Sequence, residues 1–164
     1  MPDELLEPEL LSPPAVAVLK FDADHAYRTL VPTKRGDAEV AAMLRALSPA
    51  QMLESGRVHP LLDIALGAMW LWHDFIEDAH KIAQDEESPE GSWLHAIVHR
   101  REGDFSNSKY WYARSAAVTT IGAELVDLVA SVHDKPTDPR YATAQSQQRA
   151  EWRALFKHCV RGKK

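Results

Sequence analysis

The stretch from Pro60 to Asp85 constrains the fold more than any other, because it combines an apolar stripe of helical period with sequence that reads as continuous helix. With Trp72 at zero and about 100° per residue, Phe75, Ile76, Ala79, Ile82 and Ala83 fall within roughly 80° of it. That stripe predicts a core face. Asp74, Asp78, Lys81 and Asp85 fall on the opposite side and predict a solvated face. Between the two lies a polar row, His73, Glu77, His80 and Gln84, placed to line a cleft beside the core.

The rest of the chain supplies further helices around this one. Five prolines, Pro2, Pro8, Pro13, Pro14 and Pro32, interrupt residues 1–36 and predict an irregular N-terminal arm laid across the helices, with Ala15 to Phe21 extended. Asp37 is a plausible N-cap for a helix through Leu47, and Ser48-Pro49 starts a further turn that Gly56 ends. After the polar break Glu86–Gly91, Ser92 can cap a helix running to Glu102 and stopped by Gly103. Asp104 or Ser106 caps a short helix carrying Lys109 to Arg114. Ile121–Val132 and a final helix from Pro139 complete the set, the last bringing Trp152, Leu155, Phe156 and Cys159 to one face. The expectation is an all-α, bundle-like single domain of five to seven helices over residues 37–160, followed by a solvated basic tail, 161–164.

Charge and cysteine content narrow the function classes. A net charge of −5 provides no basic field for nucleic acid. Cys159 is the only cysteine, so no intrachain disulfide can form and a reducing compartment is the simpler expectation. Asp3, Glu4, Glu7 and Glu9 stand where a secretory signal would carry positive charge, and Asp63, His73 and Asp74 interrupt the longest apolar stretch, against a membrane span. A cytoplasmic protein is expected. No glycine-rich phosphate loop, nucleophile elbow or Cys-x-x-Cys occurs, and His158 points about 100° away from Cys159 on their helix, against a Cys/His nucleophile.

Candidate chemistry concentrates between Gly91 and Trp111. On a helical wheel His95, His99 and Glu102 lie within roughly 60° of one another, and the short linker makes their helix an antiparallel neighbour of the one bearing His80. Two imidazoles at i, i+4 and a third from the facing helix can chelate a divalent ion such as zinc, nickel, manganese or iron, leaving positions for water or substrate. Glu77 or Glu102 would then serve as fourth ligand or catalytic base in a hydrolase-like site, with Gln84, Glu102 and Asp104 orienting the rings. The same histidines can instead hydrogen-bond carboxylates with no ion. In a second reading, Arg100, Arg101 and Lys109 grip a small carboxylate or phosphate ligand beside Trp93, Tyr110 and Trp111. The alternative for those cations is pairing with Glu77, Asp78 or Asp104. A third reading is a structural or interaction protein in which all of these groups pair with one another around no cavity.

The block resembles a family of bacterial proteins of uncharacterised function marked by Gly-Ser-(aromatic)-Trp-His-Gly-Ile-Met-His-Arg-Arg-Glu-Pro-Asp, continuing to Asn-Ala-Lys-Tyr-Trp. The matching positions are Gly91, Ser92, His95, Ile97, His99, Arg100, Arg101, Glu102, Asp104, Asn107, Lys109, Tyr110 and Trp111, with Ala96, Val98 and Gly103 as departures. A His-x-x-Ser-Gln element upstream in the family is matched by His80 and Gln84, with Ala83 in place of serine. The resemblance covers about the middle third of the chain. It implies a shared polar site and assigns no activity to it.

Overall fold

The computed structural model describes residues 9–163, which leaves Pro2, Asp3, Glu4, Glu7 and Pro8 of the arm and Lys164 of the tail outside it. Eight α-helices are present among the described residues: α1 (Pro13–Lys20), α2 (Ala38–Ala46), α3 (Leu61–Trp72), α4 (Ile76–Gln84), α5 (Pro89–Glu102), α6 (Phe105–Arg114), α7 (Ala123–Val132) and α8 (Pro139–Arg161). The described residues form no strand beyond one isolated antiparallel bridge between Leu11 and Leu53. None of their helices is long and apolar enough to cross a membrane.

Two local features raise the count above the expected five to seven. The first is α1, in the stretch expected to be extended. Pro13 and Pro14 occupy its first turn, where the missing N–H would be unpaired anyway, and Ser12 Oγ accepts from Ala15 N at 3.3 Å. Here the prolines begin a helix. From Phe21 to Gly36 the arm is irregular, with Asp22 and Tyr27 at φ +44° and +58°. It lies across the helices as expected. Its carbonyls at Ala26, Arg28 and Thr29 accept side-chain hydrogen bonds from Arg149, Gln145 and Arg101.

The second feature divides the long helix expected from Pro60 to Asp85. Asp74 adopts φ +64°, and the chain turns there from α3 into α4. No glycine or proline marks this break. Aspartate tolerates the left-handed region better than most side chains, and the turn lets Asp74 Oδ1 reach Arg101 Nη2 at 2.7 Å. His73, just before it, donates from Nε2 to the Val18 carbonyl at 2.7 Å. Gly36 runs against the His73 carbonyl so closely that a Cβ there would collide with it. Asp74 therefore serves a buried arginine, which corrects its assignment to a solvated face. His73 leaves the polar row for the arm.

The core stripe survives the break. Trp72, Phe75 and Ala79 are buried and Ile76 is partly buried. Trp72 stacks on Tyr27 and packs against Trp152 with ring centroids 5.5 and 4.6 Å away. The most enclosed element is α5, which begins at Pro89 with Ser88 as its cap, earlier than the Ser92 expected. Every residue from Glu90 to Arg101 is buried. Five of these carry ionisable side chains, Glu90, His95, His99, Arg100 and Arg101, and each must find a polar partner inside the protein. The partners come from different elements, so α5 acts as a hub of polar contacts as well as of packing.

Candidate metal centre

The site forms where α4 lies against α5. His80 stands on α4, and His95 and His99 stand one turn apart on α5. His80 Nε2 and His95 Nε2 approach to 3.0 Å. The His95 and His99 rings stack at 4.8 Å, and the His80 ring meets that of His99 nearly edge-on at 5.1 Å. One nitrogen from each residue can be chosen so that all three lie within 4.8 Å of one another. His95 and His99 are buried and His80 is partly buried, so the cluster opens to solvent on the α4 side.

Glu102 holds one ring and lies near a second. Its Oε2 accepts from His99 Nδ1 at 3.0 Å, and its Oε1 lies 3.7 Å from His80 Nδ1. The carboxylate that holds the His99 Nδ1 proton leaves the Nε2 lone pair of that ring facing away from it, the tautomer a metal requires. Asp104 Oδ2 stands 4.0 Å from His99 Nδ1, and Asn107 Nδ2 donates to His99 Nε2 at 3.3 Å. The Trp111 ring covers His95, with centroids 3.9 Å apart and planes within 16°. Burial between that indole and two further imidazoles pushes the His95 pKa down to about 4, first through desolvation and then through His99 and His80. His95 Nδ1 is buried without a hydrogen-bond partner.

The spacing can be compared with an ion's needs. At metal–nitrogen distances of about 2.0–2.1 Å, two ligands sit about 3.0 Å apart at a right angle and about 3.4 Å apart in a tetrahedron. The His80–His95 pair already meets the first value. The widest separation in the trio exceeds the second by roughly 1.4 Å, so an ion would have to draw the rings together.

The remaining sequence candidates lie elsewhere. Glu77 is exposed and pairs with Arg35, and Gln84 is exposed at the end of α4. Arg100, Arg101 and Lys109 do not converge on an anion pocket. The Arg100 guanidinium is fully buried against Glu151 Oε1 at 2.7 Å, with Tyr112 Oη and Gln148 completing its surroundings. Arg101, equally buried, donates to the Leu71 and Thr29 carbonyls and to Asp74, and its guanidinium covers the Tyr27 ring at 4.2 Å. Lys109 pairs on the surface with Asp127 at 2.5 Å. The arginines thus pair, but with Glu151 and Asp74 in place of Glu77, Asp78 or Asp104. Trp93 is buried, its Nε1 donating to Glu151 at 3.2 Å, and Tyr110 is exposed. Glu151 and Gln148 carried a readable signal: with Ala144 and Leu155 they repeat at i, i+4, i+7 and i+11 on the buried face of α8.

Compared with protein-family models, curated proteins and solved structures, the chain matches none of them.

Proposed function

We propose that His80, His95 and His99 hold a divalent transition-metal ion and that the protein is a metal-dependent enzyme of hydrolytic type. The observation that carries this reading is the meeting of three imidazoles from two helices beside one carboxylate, Glu102, whose hydrogen bond to His99 Nδ1 favours the tautomer that exposes Nε2 of that ring. Zinc, nickel, manganese and iron are the candidate ions, all of which accept imidazole. Such an ion, when bound by three protein ligands, supplies an acidified water at its open position. Glu102 is the candidate base, because it is one-third exposed and stands beside two of the three rings. Asn107 holds the His99 Nε2 lone pair and must release it to the ion, and Trp111 shields His95 from water. The anion-pocket alternative is weaker, because Arg100 and Arg101 are enclosed with internal partners.

Elemental analysis of protein purified without a metal-affinity step tests the reading directly. About one equivalent of a single transition metal is expected, together with calorimetric binding above pH 7 that His95→Ala/His99→Ala abolishes while the helical circular dichroism persists. Glu102→Gln should retain the ion and lower any ion-dependent hydrolysis of ester, amide or phosphoester probes by about a hundredfold or more. Absence of binding by all four ions above pH 7 would overturn the metal reading.

A further inference from the structure

A second polar centre lies at the start of α5. Glu90 is fully buried in its first turn. Its Oε1 accepts from His158 Nε2 at 3.0 Å and lies 3.4 Å from Lys163 Nζ, and its Oε2 is buried with no hydrogen-bond partner among the described residues. Burial alone would raise the Glu90 carboxyl, but the hydrogen bond from His158, a backbone hydrogen bond and the Lys163 ammonium together hold it below the usual carboxylate range. Lys163 comes from the segment expected to be a solvated tail. Gly162, at φ +75°, turns that segment back over the His59 ring, where an added Cβ would stand 3.0 Å from the nearest ring carbon. Arg57 Nη2 donates to the Arg161 carbonyl at 2.8 Å and helps to hold the turn.

Lys163 also forms one wall of a cavity of about 250 Å³, together with His59, Pro60, Leu61, Glu86 and Ser88. Its ammonium thus joins an open, largely apolar space to a buried carboxylate. The two ends of this ion pair are unequal. The Lys163 side chain is 66% exposed and returns to water at little cost, whereas Glu90 is wholly enclosed and needs a cation beside it. An ammonium arriving through the cavity can take the place of Lys163 Nζ beside Glu90 Oε1. Pro60, Leu61 and the His59 ring offer apolar contact for a short hydrocarbon chain. Glu86 also lines the cavity, its pKa raised by burial and by the nearby Asp63 and Asp85.

We propose that this cavity is a binding site for small primary amines, anchored on Glu90 and occupied from within by the Lys163 side chain until a ligand displaces it. The test titrates the full chain with n-butylamine and n-butanol, after chelator treatment so that the histidine centre takes no part. Saturable binding of the amine is expected, at least tenfold tighter in Lys163→Ala than in the native protein, with no saturable binding of the alcohol. Glu90→Gln should lose amine binding with its helical spectrum unchanged. Because Lys163→Ala removes a largely exposed side chain, it carries the test even if Glu90→Gln misfolds. Failure of Lys163→Ala to bind butylamine, or equal binding of butanol, would overturn the amine site, and equal amine affinity in the native protein and Lys163→Ala would overturn the role of Lys163.

Discussion

His95 shows how much a single residue's chemistry depends on its surroundings. Its place in a His-x-x-x-His pair marks it as a ligand candidate, but the ring also lies between Trp111 and two imidazoles that disfavour its charged form. Its folded pKa of about 4 lies below an unfolded value of about 6.5, so between these limits the unfolded chain binds more protons. Stability in metal-free protein therefore rises with pH through this window and is level above it. Relative to His95→Gln, the native protein should lose on the order of 2 kcal/mol between pH 7 and pH 4.5 in urea unfolding. A difference that stays constant across that range would show that the ring is not desolvated. The same shift means that protons compete for this ligand only well below the ordinary histidine range.

Among the elements, α5 carries the argument furthest. Its polar residues reach several elements: Glu90 the end of α8, His95 α4, Arg100 the middle of α8, and Arg101 the turn after α3. Such contacts require close approach of the chain that leads into the helix. Gly91 provides it, since a Cβ there would stand 2.5 Å from both the Cβ and the carbonyl oxygen of Glu86. Alanine would gain up to about 1 kcal/mol in helix propensity, but the obstruction includes backbone and costs typically about 1 to 3 kcal/mol. Gly91→Ala is thus expected to lower the urea midpoint and to displace the Glu86–Ser88 linker, seen as altered amide chemical shifts there. An unchanged midpoint and unchanged shifts would show that the linker gives way freely.

Across the whole molecule, two aromatic and cationic assemblies tie the arm and the last helix to the centre. Tyr27, Trp72 and Trp152 pack together, Arg149 covers the Trp72 ring at 4.7 Å, and Phe156 stacks on Trp152 at 4.8 Å. Beside them Arg100, Tyr112, Glu151 and Trp93 form a buried network joining α5, α6 and α8. Trp72 is 1% exposed, so Trp72→Ala should cost about 3 to 5 kcal/mol through lost burial and the cavity left behind. A loss below about 1 kcal/mol in denaturant unfolding would mean that this cluster does not centre the fold.

The helical class, the helices from Asp37 and Pro139, the core side of Trp72 and the convergence of His80 with His95 and His99 were legible from residue order, because periodicity, caps and a short linker are local quantities. The turn at Asp74 was not, since its cause is Arg101, distant in sequence, together with the approach of Gly36. For the same reason the wheel assigned Asp74 to water, and Ala15 to Phe21 was read as extended when Pro13 and Pro14 could initiate a helix as readily as prevent one. Residue types showed that Arg100, Arg101 and Glu102 carry charge, but not which would be enclosed. A buried guanidinium requires a carboxylate or carbonyl partner, and the packing of α8 and the arm against α5 supplied those partners to the two arginines while leaving Glu102 at the edge, beside the imidazoles.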